Sequence, residues 1–382
     1  MPELKMIVMG DIHLERLIWR KHRQVIDDSL VSFRSLVDHA IRLKVPLVLV
    51  GDIFDSIEPE PFLVEFFRHE MERCELADIK VYAIQGNHDK RPVPWYVAIS
   101  SWPIHFGDGH PILINGLGCL GFDYASKDVI EGQLQALQAS LCDPSGKQVS
   151  SGPQVLFLHQ AVRQALRFDG AWNCDLDWVP DGIPLTILGD IHKYQEMTMR
   201  NGGRGFYTGA THPRSIEEIG SKTCMGIMDD LSVTTFPLVT RCVEKITLAG
   251  EIDPSQFGTE FIKHWHCAAA ISNPALPAVA WLRYSQEHAL VANAVREQLK
   301  SIPTLIVIDD PLVMRESEDE AVAAATTDLP PLSVLMARCV DPEKEPFAYQ
   351  LCMGLMEPLA DLQERIRDQR DRFIVQPVTQ AQ

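Results

Sequence analysis

An α/β sandwich of about 240 residues, followed by a smaller α/β unit and a helical tail, is the fold that this 382-residue sequence predicts. Three observations carry the prediction. Short apolar runs end abruptly in polar clusters: residues 4–9 (LKMIVM) and 46–50 (PLVLV) lead into Gly-Asp, and 79–84 (IKVYAI) leads into QGNHD. Helical patterns separate these runs, from about Gln24 to Leu43 and over about 60–76. Gly-Asp-Ile-His occurs twice, at 10–13 and 189–192, both times at the end of an apolar run.

Strands covered on both faces read as uninterrupted apolar segments, because helices pack over the sheet. Residues 4–9, 46–50 and 79–84 fit that description, as do 154–158 (QVLFL), before His159, and 184–188 (PLTIL), before the second GDIH. In a sheet of βαβ units ligands sit outside the carboxyl ends of the strands, so five polar clusters fall on one rim. Strand-like runs around 194–200, 205–210, 224–229 and 232–238 complete a first domain over 1–240. Residues 278–285 (AVAWLRYS), a helical 286–300 and 304–308 (TLIVI) form a β-α-β pattern, placing a second domain at 241–315. ESEDEAVAAATTDLPP, at 316–331, is an acidic linker ending in prolines. In the tail, 332–382, Phe347, Leu351, Leu355, Leu359, Leu362 and Ile366 recur at helical spacing.

A hydrophobic content of 46% supplies a buried core. No run of eighteen apolar residues occurs, and MPELKMIVMGD has a carboxylate where a signal peptide would stay apolar, so a cytoplasmic protein without membrane contact is expected. The nine cysteines are scattered and never spaced C-x-x-C, which argues against a disulfide framework or a structural zinc site. A net charge of −17 excludes nucleic-acid binding through the overall field, so any DNA contact must be local.

The strand-end clusters are Asp11-x-His13, Gly51-Asp52 with Asp55, Gly86-Asn87-His88-Asp89, His159, and Asp190-x-His192. Taken singly, each has a plain explanation: a cap, a turn residue or a satisfied core histidine. Together they form a mixed set of carboxylate, amide and imidazole ligands suited to manganese, iron, magnesium or zinc rather than calcium. Asp11, His13, Asp52, Asn87, His159, Asp190 and His192 number about the seven ligands that two ions need, and Asp52 could bridge ions about 3.5–4 Å apart.

The series D-x-H, G-D-x-x-D, G-N-H-D, a lone His and G-x-x-H resembles the calcineurin-like metallophosphoesterases. Within them the chain is similar to the SbcD-type DNA repair and recombination nucleases, phage members included. The GDIHL opening, the segment Tyr207-x-Gly209-Ala210 with Glu217, Glu218 and Lys222 beyond it, and the small β-α-β domain carry that likeness. The resemblance implies a four-layer α/β/β/α metallophosphoesterase sandwich, with the β-α-β unit as its capping domain. It makes Asp11, His13 and His192 ligands of one ion, Asp52 the bridge, and Asn87 and His159 ligands of the other. His88 then resembles the family's catalytic histidine, suited to protonate the departing 3′ oxygen or to neutralise charge on the phosphorane. Asp89 would orient His88 or stabilise its turn.

The last motif departs from the family, which has Gly-His-x-His where this chain has Asp190. Aspartate could ligate directly, hardening the site toward manganese or magnesium, or hold its ion through a water. The implied cofactors are two divalent ions, manganese first and magnesium as the alternative.

For DNA, RLIWRKHR at 16–23 offers Arg16, Arg20, Lys21 and Arg23 around Trp19, as a phosphate-binding loop with a stacking aromatic or as the basic first turn of a solvated helix. Lys90, Arg91 and Lys193, with Arg200, Arg204 and Arg214, form a second basic neighbourhood. The family resemblance implies a partner ATPase of the SbcC type, an ABC/SMC-like subunit on which the tail helix would dock unless it packs on its own domain. No G-x-x-x-x-G-K-[ST] loop occurs in this chain, so ATP dependence would come from that partner. A homodimer is left open. The expected activity is 3′-to-5′ exonuclease and single-strand endonuclease; the rival expectations are a small-molecule phosphoesterase with a closed pocket and a DNA-binding scaffold in which Asp190 has weakened the second ion.

Overall fold

Each central strand sends alternate residues into two different cores, and this alternation sets the layering. In the computed structural model, residues 2–17, 19, 22–142, 152–166, 172–199, 202–215, 218–248, 276–300 and 305–312 are described. The first sheet contains β1 (Leu4–Met9), β2 (Leu47–Val50), β3 (Val81–Ile84), β4 (Pro103–His105), β11 (Thr223–Met228) and β12 (Val233–Pro237), in the order β12-β11-β1-β2-β3-β4. β1 to β4 are parallel, and β11 joins β1 antiparallel. The second contains β5 (Ile112–Ile114), β6 (Leu117–Phe122), β7 (Val155–His159), β8 (Leu185–Gly189), β9 (Gln195–Thr198) and β10 (Arg204–Tyr207), in the order β5-β6-β7-β8-β10-β9. Its four inner strands are parallel and the two edge strands antiparallel.

The sheets pack face to face. Met6 and Val8 of β1 and Val48 and Val50 of β2 share one core with Val155, Phe157, Leu185 and Ile187 of the second sheet. Ile7, Met9, Leu47 and Leu49 point the other way, onto Phe33, Leu36 and Val37 of α1 (Asp28–Leu43) and Phe67 and Met71 of α2 (Pro61–Leu76). Pro61 opens α2, where its fixed φ and missing N–H are harmless. On the far side Leu156, Leu158 and Leu188 meet Ile130 and Leu134 of α4 (Lys127–Leu141). The layers are therefore α/β/β/α, with both faces of each sheet covered.

Five elements between residues 95 and 141 had no counterpart in the sequence pattern: α3 (Trp95–Ile99), β4, β5, β6 and α4. β6 reads LGCLGF, and its glycines obscure a strand signal; a Cβ on Gly121 would press on Phe106 and Ile84, so the strand needs the gap there.

A third, all-parallel sheet follows, made of β13 (Val243–Leu248), β14 (Ala278–Ser285) and β15 (Leu305–Leu312), with α5 (Ala289–Leu299) packed on it through Ala292, Val295 and Leu299. β14, α5 and β15 are the expected β-α-β pattern; β13 adds an unexpected edge. The linker at 316–331 and the tail at 332–382 lie outside the described residues. Among the described residues no helix is long and apolar enough to cross a membrane.

Two contacts tie the third sheet to the first. Trp19 and Val25 pack against Val279 and Ile308, and Trp19 meets Trp281 edge to face at 5.5 Å. The buried Arg241 guanidinium donates to both Asp28 carboxylate oxygens at the start of α1, at 2.8 and 2.7 Å, and to the carbonyls of Ile26 (2.8 Å) and Pro277. Arg241→Leu would leave a buried carboxylate and two carbonyls without donors, and is expected to cost about 3 kcal/mol in urea unfolding followed by tryptophan fluorescence. A loss below about 1 kcal/mol, the range of a surface pair, would contradict that account.

Candidate metal centre

The polar clusters do meet on one rim, and the backbone is bent to bring them there. Asp11, His13, Asp52 and Asp190 have φ of +49°, +43°, +51° and +86°, a region that non-glycine residues enter sparingly and mostly at functional turns. The turns after β1 and β2 brace each other: the amides of Asp11, Ile12 and His13 donate to the carbonyls of Gly51 and Asp52 at 2.8–3.1 Å. Glycine precedes Asp52 and Asp190 because the His159 ring lies between the two turns; a Cβ on Gly51 or Gly189 would collide with its Nδ1. The repeated GDIH thus reflects two strand ends closing on the same imidazole and carboxylate cluster.

His13 Nε2 and His192 Nε2 lie 3.2 Å apart, each 3.9 Å from Asp11 Oδ1. Asp52 Oδ2 is 3.4 Å from both His13 Nε2 and His159 Nε2, which places it between the two halves of the cluster. Asn87 Oδ1 stands 3.2 Å from His159 Nε2 and 3.2–3.3 Å from the Asp52 oxygens. Asp190 sits at the edge: its Oδ1 is 4.0 Å from His159 Nε2, while its amide donates to both oxygens of Asp11 at 3.1 Å. Among the described residues three sets suited to a metal ion result, Asp11-His13-His192, His13-Asp52-His88 and Asp11-Asp52-His159; Asp190 belongs to none of them at this spacing.

The partners of the outer ring nitrogens orient the rings. His159 Nδ1 donates to the Val50 carbonyl at 2.7 Å, His192 Nδ1 to Glu218 at 3.1 Å, and His13 Nδ1 lies 3.1 Å from Asp55 Oδ1. A carbonyl can only accept, so His159 Nδ1 carries a proton, and its Nε2, like those of His13 and His192, faces inward. The inward nitrogens and oxygens stand 3.2–3.4 Å apart, close enough to share protons where no cation holds them. Turning the Asn87 amide over would aim its N–H donors inward; the inward oxygen is the orientation a cation selects.

The Asp11 carboxyl is pushed up to about 7, by burial first and then by the charges of Asp52 and Asp190, against the pull of His159 and His192. Burial lowers His13 to about 4, which keeps it a neutral imidazole, the form that ligates. Asp52 stays well below the usual carboxylate range: burial opposes ionisation, but His159 and His13 favour it more strongly. Burial opposes charge on His159 and His192, but Asp52 raises the first and Glu218 the second above the usual imidazole range, so these rings hold protons that two divalent cations would displace.

His88 is half-buried beside this cluster, its ring 4.9 Å from that of His13 and perpendicular to it. Its amide donates to Asp52 Oδ1 at 2.9 Å and its Nδ1 to the Asp55 carbonyl at 2.5 Å, which leaves Nε2 for chemistry. Asp89 does not orient His88. Its buried carboxylate accepts from the amides of Ile53, Phe54 and Gly86 at 3.0–3.3 Å, fastening the two turns together. Arg214, grouped by sequence with peripheral cations, reaches the centre: it pairs with Asp55, and its Nη1 is 3.3 Å from His13 Nε2. The sequence set Arg214 among basic residues and Glu218 in the segment beyond Tyr207, but no spacing placed either at the centre, because both arrive from the segment after β10.

The expected DNA contacts fare unevenly. Trp19 is 8% exposed and its indole donates to the Pro213 carbonyl, so it is a packing residue and not a stacking platform for a base. None of the described residues of 16–23 is helical either, and α1 begins at Asp28. Arg16 is exposed but paired with Asp27 at 3.1 Å, with its guanidinium 5.0 Å from the Phe62 ring; Arg23 is exposed. Arg20, Lys21 and Arg200 lie outside the described residues. Lys90 is exposed and Arg91 half-exposed, both following His88, while exposed Lys193 borders a cavity of about 720 Å³ that also touches Asp190, His192, Tyr194, Ser221 and Lys222.

Residues 4–181 match the calcineurin-like phosphoesterase family, a stretch that includes Asp11, His13, Asp52, Asn87, His88 and His159. The chain is 27% identical over 180 residues to the DNA double-strand break repair protein Mre11 of Saccharolobus solfataricus, covering 44% of this chain and 45% of the relative. To the Mre11 protein of Methanosarcina acetivorans it is 24% identical over 229 residues, covering 56% of this chain and 35% of the relative. The chain thus spans less than half the length of these two relatives. A dimetal phosphatase from Danio rerio aligns over 62% of this chain and 99% of its own, with a TM-score of 0.41 and 14% identity.

Calorimetric titration with Mn²⁺ is expected to give two ions per chain. Glu218→Ala, which frees the outer nitrogen of His192, should weaken one of them by about 10- to 100-fold, the usual effect of losing a group that orients a ligand. Asp190→Ala should weaken the other ion and leave the first; a loss of both would place Asp190 nearer the bridge than its position suggests.

Proposed function

We propose that this chain, which carries a calcineurin-like phosphoesterase domain, is a two-metal-dependent DNA nuclease with 3′-to-5′ exonuclease and single-strand endonuclease activity. The observation that carries the reading is the Asp52 carboxylate, whose Oδ2 lies 3.4 Å from both His13 Nε2 and His159 Nε2 and whose Oδ1 accepts from the His88 amide. The similarity to DNA double-strand break repair proteins supports DNA as the substrate.

Asp11, His13, Asp52 and His192 would hold one ion, and Asp52, Asn87 and His159 the other, with Asp190 beside it. When bound, such ions, manganese by preference and magnesium as the alternative, lower the pKa of a water and offset charge on the phosphoryl oxygens. The chain's own part is positioning and proton transfer. The Asp55 carbonyl accepts from His88 Nδ1, so the doubly protonated ring would give its Nε2 proton to the departing 3′ oxygen and keep the one on Nδ1. Arg214, held by Asp55, is placed to meet a phosphoryl oxygen beside His13. Arg16, Arg20, Lys21, Arg23, Lys90, Arg91 and Lys193 would contact phosphates without reading sequence.

The domain at 1–240 would do the chemistry under a capping domain at 241–315, while the tail beyond the acidic linker docks on an SbcC-type ATPase in the cytoplasm. A small-molecule phosphoesterase is the second reading, favoured by the cavity of about 720 Å³ beside His192.

With Mn²⁺, the purified chain should release mononucleotides from end-labelled linear duplex DNA, and His88→Ala should lower that rate by about 10²- to 10⁴-fold. Turnover of a small aryl phosphodiester with intact DNA would favour the second reading.

A further inference from the structure

The rim on the His159 side of the centre carries cations laid over aromatic rings. Lys90 Nζ is 5.7 Å from the centre of the Tyr124 ring, and that ring meets His159 edge to face at 6.4 Å. Lys127 Nζ lies 3.6 Å over Trp172, Arg163 lies 5.5 Å from the same ring, and Trp178 flanks it at 6.2 Å. On the other side of Lys90, Arg91 lies 4.7 Å over Trp95. These residues come from the segments that follow β3, β6 and β7, so the topology that gathers the metal donors also lines up these pairs. The Asn173 side chain donates to the Ala125 carbonyl at 3.5 Å, joining two of the segments.

We propose that this rim, from Trp95 through Lys90 and Tyr124 to Lys127 and Trp172, is a track for single-stranded DNA leading to the centre; the proposal rests on the nuclease reading. Lys90 and Lys127 are exposed and, among the described residues, sit over rings and not against carboxylates, whereas Arg16, Arg163 and Arg204 pair with Asp27, Asp175 and Glu196. In a chain of net charge −17, cations left unneutralised beside the centre are the local attraction that a phosphate backbone needs. A lysine over a ring is held weakly at an exposed site, so an arriving phosphate can draw it away and the ring face it leaves can take a base. Only an unpaired strand offers base faces; a duplex keeps them stacked inside. Tyr124, against His159, marks where the track reaches the metal ligands.

The test is fluorescence anisotropy of the full chain in chelator, which stops cleavage, with a labelled single-stranded oligothymidine and a duplex of equal length. Tyr124→Leu with Trp172→Leu should weaken single-strand binding about tenfold while duplex binding holds, and Tyr124→Phe should bind like wild type. Lys90→Gln with Lys127→Gln, surface changes that leave folding aside, should flatten the salt dependence of single-strand binding by about 1.4 log units per log of salt, two phosphate contacts' worth. Equal losses on both DNAs, undiminished binding in the variants, or no single-strand binding by wild type overturns the track. The assay needs no turnover, so the two readings fail separately. Rim-dependent binding with DNA left intact in Mn²⁺ keeps the track and sinks the nuclease, while DNA degradation with undiminished variant binding does the reverse.

Discussion

Three imidazole nitrogens, three carboxylates and one amide oxygen are turned toward a common, largely buried space, and the rest of the first 230 residues is arranged around holding them there. Such a convergence is unfavourable in isolation. Ring nitrogens and side-chain oxygens crowd to little more than 3 Å, and burial drives Asp11 to retain its proton up to about pH 7. The structure keeps the geometry through its outer contacts: the Val50 carbonyl and Glu218 hold two of the rings, Asp55 lies 3.1 Å from the third, and the backbone amides around Asp52 and Asp89 hold the turns. The electrostatic strain that remains is what divalent cations would relieve.

Delivery of those groups is a property of two sheets and not of one. Asp11, Asp52, Asn87 and His88 follow strands of the first sheet, while His159, Asp190 and His192 follow strands of the second. The apolar layer between the sheets, from Met6 and Val8 to Phe157 and Ile187, therefore sets the spacing of the donors. It also explains the glycines before the aspartates, since the two rims approach so closely that the His159 ring fills the room a Cβ would need.

The third sheet bears on the centre through the chain between His13 and α1. Trp19 and Val25, from that connection, are gripped by Val279 and Ile308, and Arg241 fastens the start of α1. What looks from composition like an aromatic set among basic residues for DNA is instead an anchor, and the aromatic faces suited to DNA stand after β6 and β7.

Much of the centre was legible along the chain. Uninterrupted apolar runs ending in Gly-Asp, Gly-Asn-His-Asp, a lone histidine and a second Gly-Asp-Ile-His identified the strands, the rim and the ligand types, because strand ends and turn chemistry are local. Local pattern also separated the β-α-β unit at 278–312 from what precedes it. It was silent about β4 to β6 and α4, where glycines and short strands blur the period. Tertiary structure alone decided which side chains support the ligands. Asp55 on His13, Glu218 on His192, Asp89 on the turn after β2, and Arg214 at the centre are contacts across 26 to 201 residues of chain. It also decided the burial of Trp19 and the edge position of Asp190. A residue's type and the end of its strand are written in its neighbours, but the partner it meets depends on how two sheets and a third are packed, which no local period encodes.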